Sequence, residues 1–265
     1  MSNNDPVWEM MRKTSQEQAQ EEPVLASFLH ATILNHDSLE DALSYHLASK
    51  LDSPTASALL IREIIEEAVQ SSDTISQAMR ADIVATYERD SACECLSTPF
   101  LFYKGFHALQ AYRVAHWLWQ NQRRQLAAFL QNHISMAFGV DIHPAAKIGK
   151  GIMLDHATGI VIGETAVIDD NVSIMQSVTL GGTGKECGDR HPKIHQGVLI
   201  GAGSKILGNI EVGEGAHVSS GSVVLHPVPA HSVVAGVPAK VIGESATSQP
   251  ALDMCQELRC KNSTH

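Results

Sequence analysis

The sequence has few positive charges and no long apolar run, and both absences exclude classes of protein. Its 265 residues carry 19 Lys and Arg against 29 Asp and Glu, a formal net charge of −10. This balance argues against a nucleic-acid groove, which needs clustered cations, and against attraction to an anionic membrane surface. No apolar stretch approaches the ~20 residues of a membrane span, and the N-terminus lacks the apolar region of a signal peptide. We therefore expect a cytoplasmic protein that binds neither nucleic acid nor membrane.

Cysteine is also scarce, with five residues in an odd number that suits no disulfide framework. Cys93 and Cys95 are separated by one residue, too close for the CxxC pair of a zinc site, and Cys255 and Cys260 lie in a polar tail. We interpret these residues as reduced thiols that are structural or incidental.

Glycine is nearly absent from the first half of the chain, where only Gly105 and Gly139 occur before position 141. Leucines recur at four-residue intervals from Leu39 to Leu51 behind Ser38, which is typical of a capped helix. Ser53-Pro54 predicts another helix start, and a last helix over about 125–138 would end at Gly139. These patterns predict a helical domain over residues 1–139.

A six-residue period replaces the helical spacing after Gly139. Aliphatic residues recur every sixth position among Gly, Ser, Asn and Asp, which predicts a left-handed parallel β-helix of hexapeptide repeats over 140–243. In such a solenoid each aliphatic residue points into the core and small residues form the corners. The expected fold class is thus α + β-solenoid. The inward positions are Ile142, Ile148, Leu154, Ile160, Ala166, Val172, Val178, Ile194, Ile200, Ile206, Val212, Val218 and Val224.

One insertion interrupts this period. Val178 and Ile194 are 16 positions apart, ten more than one repeat, which predicts an inserted loop over 179–193. The loop contains several glycines, which allow close approach of backbone amides to a ligand, and the pair Arg190-His191. A loop of this size that projects from a regular solenoid is more often functional than a tolerated surface insertion.

Three segments make a more specific prediction: DIHPAAKIGKGIMLDHATGIVIGETAVI, QSVTLGGTGKECGDRHPKI and, in the helical half, STPFLFYKGFHALQAYRVAHWLW. Together they resemble the bacterial serine O-acetyltransferases of cysteine biosynthesis. The resemblance implies acetyl transfer from acetyl-CoA to the L-serine hydroxyl, giving O-acetyl-L-serine by direct attack in a ternary complex, without a metal. It also implies feedback inhibition by L-cysteine and a homotrimer or a dimer of trimers.

The resemblance makes His156 the general base, since a neutral serine hydroxyl is a weak nucleophile and imidazole exchanges protons near neutral pH. The family pattern makes Asp141 the partner that orients this imidazole and stabilises the imidazolium. With 18-residue coils, Asp141 would lie about one coil below Gly159, so that contact with His156 across a corner is geometrically plausible.

Further site residues also follow from the resemblance. Asp90 and Asp155 would hold the amino and hydroxyl end of serine, Arg190 its carboxylate, and His191 would lie close to the reacting group. Ser91 stands where the family commonly has proline after the aspartate.

Coenzyme A would run along the groove between neighbouring β-helices, and a backbone amide of the glycine-rich loop would stabilise the oxyanion. Its expected contacts are Gly182, Thr183, Ala202 and Gly203. Residues 244–265 are expected to form a flexible tail. The family commonly ends in an isoleucine that enters cysteine synthase, whereas this chain ends in His265, which leaves that partner an open question.

Three other interpretations are compatible with parts of the sequence. The same fold could acetylate another acceptor, such as homoserine, a sugar or a xenobiotic alcohol. A β-helix carbonic anhydrase would bind zinc through histidines such as His191 and His195. A non-catalytic scaffold would fail to bind coenzyme A.

Overall fold

The computed structural model describes residues 5–184 and 187–259. In its N-terminal part, up to Phe138, eight helices and one π-helical turn, His30–Leu34, pack around a common core. The helices are α1 Pro6–Glu21, α2 Pro23–Leu29, α3 Leu39–Leu51, α4 Ala58–Ser71, α5 Asp73–Arg89, α6 Ser97–Phe102, α7 Lys104–Gln120 and α8 Arg124–Phe138.

Capping residues explain several of these boundaries. The Ser38 hydroxyl accepts a hydrogen bond from the Asp41 amide and starts α3, as the sequence predicts. Gly139 ends α8 in the left-handed conformation, with φ of 66°. The helix start predicted at Ser53-Pro54 is wrong. Ser53 and Ala56 pair across a short turn, and Ser57 caps α4 instead.

A buried ion pair fastens the helices to the first coil of the β-helix. Asp82 of α5 is completely buried, and its Oδ2 accepts hydrogen bonds from Arg113 and Gln110 of α7. Its Oδ1 accepts one from the Ile152 amide at 2.9 Å. Arg113 also donates to the Gly149 carbonyl oxygen at 2.7 Å. Every polar atom of this carboxylate is thus paired, which a buried charge requires.

Parallel strands after Gly139 form the three faces of a β-helix. The first face contains β1 Val140–Ile142, β4 Ile160–Ile162, β7 Thr179–Gly181, β10 Lys205–Leu207 and β13 Val223–Val224. The second face contains β2 Lys147–Ile148, β5 Val167–Ile168, β8 Lys193–Ile194 and β11 Glu211–Val212. The third face contains β3 Met153–Leu154, β6 Ser173–Ile174, β9 Leu199–Ile200, β12 His217–Val218 and β14 Ser232–Gly236.

The predicted inward positions form the core of this solenoid. Twelve of the thirteen aliphatic residues are buried, and Ile148 is half-buried against the same core. The predicted fold class, helices followed by a parallel β-helix, is therefore confirmed.

The predicted register of the insertion needs a correction. Paired residues of later coils, such as Lys193 and Glu211, lie 18 positions apart. Across the corner after β3 the separation is 20, as between Val140 and Ile160. Across the projecting loop it is 26, as between Val167 and Lys193. The ten extra residues are therefore divided, with two in the corner 155–159 and eight in the loop 182–192.

The segment after the last coil has regular structure over much of its length. β15 Ala239–Ser245 pairs antiparallel with β14 and is followed by α9 Pro250–Asp253 and β16 Leu258–Arg259. The Ala251 carbonyl oxygen accepts a hydrogen bond from Ser173 at 2.8 Å, which fixes α9 on the third face. Regular structure thus extends into the segment 244–265, whose flexibility stays a prediction, and residues 260–265, including His265, lie outside the described residues.

Among the described residues, no helix is both long and apolar enough to span a membrane.

Candidate functional site

The corner between β3 and β4 carries the predicted base. His156 and Ala157 adopt positive φ angles of 53° and 58°, which accommodates the two extra residues of this corner. Ala157 is buried beneath the turn, whereas the His156 side chain is 74% exposed. The Asp155 amide donates to the Ile174 carbonyl oxygen at 2.8 Å and fixes the corner to the next coil. The corner therefore presents an imidazole outward from a rigid backbone.

A carboxylate lies beside this imidazole, and a second carboxylate and a phenol lie near the first. The Asp155 Oδ1 is 3.6 Å from the His156 Nε2. Burial raises the pKa of Asp155, the His156 ring opposes this, and the nearby Asp90 charge adds to the rise. Tyr103 hydrogen-bonds Asp90, and its pKa is raised by burial and by that acceptor. We call Asp90, Tyr103, Asp155 and His156 the corner group.

Asp90 reaches this group from the end of α5. Its amide caps the helix by donating to Thr86, and its Oδ1 accepts a hydrogen bond from the Ala92 amide at 2.9 Å. This local turn holds one carboxylate oxygen toward the backbone. The structure thus brings together three of the predicted site residues, Asp90, Asp155 and His156.

A second group lies at the far end of β4. Arg190 pairs with Glu164 at 2.6 Å, and His191 Nδ1 is 2.9 Å from the Thr165 hydroxyl. A Cβ added to Gly163 would lie 2.0 Å from the His191 ring, so that glycine is needed for this close packing. We call Glu164, Arg190 and His191 the loop group.

Burial and neighbouring charges shift the pKa values of the histidines in this region. Burial lowers the pKa of His191, and the neighbouring Arg190 charge lowers it further, while Glu164 opposes both. Burial also lowers the pKa of His143 on the same face, against the opposing charges of Glu164 and Asp141. Neutral imidazoles are therefore favoured beside the loop cation.

Asp141 lies nearer the loop group than the sequence suggests. It pairs in register with Val161 and not with Gly159, because the corner has two extra residues. Its Oδ1 accepts a hydrogen bond from Gln131 of α8 at 2.7 Å. In the described part of the chain Asp141 makes no bond to His156, whose nearest carboxylate is Asp155. The partnership of Asp141 with His156 stays a prediction.

The predicted coenzyme A contacts lie in the loop and at a corner of the β-helix. Gly182 directly follows β7, and Thr183 is exposed. Ala202 and Gly203 are half-buried at a corner, where the Gly203 amide donates to Gln176 and the Ala202 carbonyl accepts from Gly221. These two groups therefore fix the coils to one another.

The histidines considered for zinc have other partners. His195 Nδ1 lies 3.0 Å from Asp169, while His191 contacts Thr165. No cluster of three or more His, Cys, Asp and Glu side chains suited to a metal ion occurs within residues 5–184 and 187–259.

Three residues that shape the site were not predicted from the sequence, namely Tyr103, Gly105 and Glu164. Tyr103 and Glu164 carry no pattern of their own, because their roles depend on contacts with Asp90 and Arg190. Gly105 did carry a signal. It is an isolated glycine inside a strongly helical stretch, which usually has a packing reason.

Models of known families match both halves of the chain. Residues 7–111 match a family described as serine acetyltransferase, N-terminal. Residues 191–226 match the bacterial transferase hexapeptide family, with six repeats.

Serine acetyltransferases of two enteric bacteria are similar over nearly the whole chain. The protein from Salmonella typhimurium is 60% identical over 252 residues, covering 95% of this chain and 92% of that protein. The protein from Escherichia coli K12 is 58% identical over 258 residues, covering 97% of this chain and 94% of that protein.

Solved structures agree with these relatives. A serine acetyltransferase from Vibrio cholerae is 61% identical, with a TM-score of 0.94 and coverage of 95% of this chain and 98% of its own. A serine acetyltransferase in complex with cysteine is 57% identical, with a TM-score of 0.94 and coverage of 96% and 99%. One from Brucella abortus in complex with coenzyme A is 52% identical, with a TM-score of 0.90 and coverage of 91% and 97%. Identity of this extent, over both the helices and the β-helix, means that the chain belongs to the serine acetyltransferase family.

Proposed function

We propose that this protein transfers the acetyl group of acetyl-CoA to the hydroxyl of L-serine, giving O-acetyl-L-serine and coenzyme A. The observation that carries the proposal is the corner group, in which an exposed imidazole stands beside the Asp155 carboxylate, with Asp90 close to that carboxylate. The relative crystallised with coenzyme A supports the choice of acyl donor.

His156 acts as the general base in this proposal. Its imidazole takes the proton of the serine hydroxyl while the oxygen attacks the thioester carbonyl. The tetrahedral intermediate then collapses, the coenzyme A sulfur leaves, and the imidazolium returns the proton to it. Two carboxylates would stabilise the imidazolium, Asp155 at 3.6 Å in the same chain and, as the sequence predicts, Asp141.

Charges on the two groups match the two ends of serine. Asp90 and Asp155 would bind the ammonium group and orient the hydroxyl toward His156. Arg190 would bind the carboxylate through its planar fork, with its present partner Glu164 holding the guanidinium in position. His191 would stand close to the reacting group as a neutral imidazole.

The two groups of one chain flank β4, whose three residues span about 10 Å. Between them lies Val161, an apolar side chain that is 40% exposed on the same face. We infer that this face packs against a second copy of the chain, as in a trimer, so that the corner group of one subunit meets the loop group of its neighbour. Coenzyme A would then run between the two β-helices, past Gly182 and Thr183 of the loop and past Ala202 and Gly203.

L-Cysteine would inhibit the enzyme at the same site. It carries the same ammonium and carboxylate groups as serine, so the contacts proposed for Asp90 and Arg190 would hold it equally well. The relative crystallised with cysteine supports this inference.

A thiol-release assay tests the proposal. The wild-type protein should release coenzyme A from acetyl-CoA only when L-serine is present, and His156→Ala should lower that rate by about 10²–10⁴-fold, the usual contribution of a general base. His226→Ala removes an exposed imidazole elsewhere on the β-helix and should leave the rate unchanged. Full activity in His156→Ala would overturn the assignment of the base, and preference for homoserine or a sugar would overturn the choice of acceptor.

A further inference from the structure

Arg89, the last residue of α5, makes contacts that the proposed mechanism does not use. Its side chain is buried, with only 8% of the residue exposed, and it points away from solvent toward the third face of the β-helix. Its Nη1 donates to the Ser173 hydroxyl at 3.1 Å, and its Nη2 donates to the Asn171 side-chain oxygen at 3.3 Å. Burial lowers the pKa of Arg89 to about 10, so it stays charged at neutral pH.

These contacts join the two backbones that carry the serine-site carboxylates. On one side, Arg89 directly precedes Asp90, whose amide ends α5. On the other side, Ser173 directly precedes Ile174, whose carbonyl oxygen accepts the hydrogen bond from the Asp155 amide. The guanidinium therefore spans the junction between the helical domain and the β-helix at the level where Asp90 and Asp155 meet.

Ser173 and Asn171, the anchors of Arg89 on the β-helix, are themselves held in place. Ser173 is fully buried, and its hydroxyl donates to the Ala251 carbonyl oxygen of α9 while it accepts from Arg89. Asn171 adopts a positive φ of 59°, which aims its side chain at the guanidinium from a turn. The backbone amides of both acceptors donate to other coils, Asn171 to the Lys150 carbonyl oxygen and Ser173 to that of Val198, so the β-helix sets the position of Arg89.

We propose that Arg89 is a positioning residue for the serine site, which sets the distance between Asp90 and Asp155 by clamping the end of α5 to the turn before β6. The proposal rests on the proposed role of Asp90 in binding serine. Arg89 is not a catalytic residue, since its buried guanidinium is occupied by Ser173 and Asn171.

Measuring the KM for L-serine and the KM for acetyl-CoA separately distinguishes a positioning role from general stabilisation of the fold. In Arg89→Gln the KM for L-serine should rise about three- to tenfold, the order expected for one misplaced hydrogen bond, while the KM for acetyl-CoA stays unchanged. The cysteine concentration for half-inhibition should rise by a similar factor. Arg89→Lys, which keeps the charge and one contact, should recover part of the serine affinity. Arg123→Gln removes an exposed arginine paired with Glu67 and should change neither constant.

Two variants keep the test decisive if Arg89→Gln does not fold. Asn171→Gly removes the acceptor while allowing the positive φ, and Ser173→Ala removes the hydroxyl, with Arg89 intact in both. Each should raise the serine KM selectively. An unchanged serine KM in the folded Arg89 variants, or in both anchor variants, overturns the proposal, as does an equal rise in both Michaelis constants.

Asp90→Asn, measured beside these variants, separates this inference from the proposed function. If the wild type shows no serine-dependent activity, or if Asp90→Asn leaves the serine KM unchanged, the proposed function or the role of Asp90 is wrong. If Asp90→Asn raises the serine KM and the Arg89 and anchor variants do not, only the positioning role is wrong.

Discussion

Gly105 of α7 lies against the carbonyl oxygen of Leu154, so closely that a Cβ on Gly105 would stand 2.1 Å from that oxygen and 3.1 Å from the Ala157 Cβ. Leu154 directly precedes Asp155 and His156. The first turn of α7 therefore rests on the backbone of the corner that carries the proposed base, and only glycine permits this approach. A residue of the helical domain thus sets the position of the corner group.

Gly105→Ala should destabilise the protein, although replacing a helical glycine by alanine normally stabilises a helix by about 1 kcal/mol. The added methyl forces α7 away from Leu154, and overpacking of this kind costs about 1–3 kcal/mol. Serine-dependent activity should fall as well, because the corner moves with the helix. Urea unfolding and the acetyl-CoA assay measure both effects. Gly184→Ala adds the same methyl where no atom lies within 4 Å and should leave the stability unchanged; a stabilised Gly105→Ala would contradict the contact.

The hexapeptide period predicted the fold because stacked coils bury the same position in every repeat. It did not predict the two extra residues at 155–159, and the reason is physical. Each face of a coil buries two positions that are two residues apart, so Ile160 and Ile162 are both buried, as are Val178 and Leu180. A register shifted by two still places aliphatic residues in the core, and only the strand pairing reveals the shift.

Site residues that lie in a motif were predicted from the sequence. Site residues that act through contacts between distant segments were not. Asp155 and His156 lie in one motif, and the resemblance supplied Asp90 from the helical half. Tyr103 acts through a contact with Asp90, and Arg89 acts through contacts with Ser173 and Asn171, which no local pattern encodes.

Asp82→Ala should destabilise the protein by about 3–5 kcal/mol, because it leaves the Arg113 charge buried without its partner. Asp82 is completely buried and accepts from Arg113 at 2.7 Å. The free energy of unfolding from urea titration measures the loss. Glu67→Ala breaks an exposed pair with Arg123 and should cost less than about 1 kcal/mol. Similar effects of the two variants would argue against the clamp between α5, α7 and the first coil.

Stability should fall with acid below about pH 6.5, where histidines of an unfolded chain take up protons. Burial lowers the pKa of His46 to about 4, with a further contribution from Lys50, and burial lowers the pKa of His107 to about 3. Both imidazoles stay neutral in the folded protein, so the stability they contribute is complete above pH 6.5 and is lost as the pH falls toward these values.

The slope of the unfolding free energy between pH 6.5 and 5 measures this effect at a fixed protein concentration. Each buried histidine should contribute up to about 1.4 kcal/mol per pH unit, a limit approached toward pH 5. His46→Gln should lower the slope by that amount, whereas His226→Gln, at an exposed position, should not change it. A slope unaffected by His46→Gln would show that this imidazole takes up its proton at the same pH in the folded protein as in the unfolded chain.

Arg190→Ala should lower kcat/KM for L-serine by about 10–100-fold, the order expected for a lost charged hydrogen bond. Ethanolamine, which lacks the carboxylate, should be acetylated slowly by the wild type and no more slowly by Arg190→Ala. The kcat/KM of Arg190→Lys for L-serine should lie between those of the wild type and Arg190→Ala, since lysine keeps the charge and loses the planar fork. Equal losses for serine and ethanolamine would mean that Arg190 supports the loop through Glu164 instead of binding the carboxylate.

Mixing two damaged subunits tests whether the corner group and the loop group meet between chains. Chains with His156→Ala retain an intact loop group, and chains with Arg190→Ala retain an intact corner group. In trimers formed at random from equal amounts of both, about a quarter of the sites between subunits would combine the two intact groups. The co-expressed mixture should therefore recover up to about a quarter of the wild-type activity at low serine concentration. A mixture of His156→Ala with Asp155→Ala, which damages the same group twice, should stay inactive. If each site instead draws both groups from one chain, every site of the first mixture carries a defect, and its activity will not exceed that of the Arg190→Ala subunits alone.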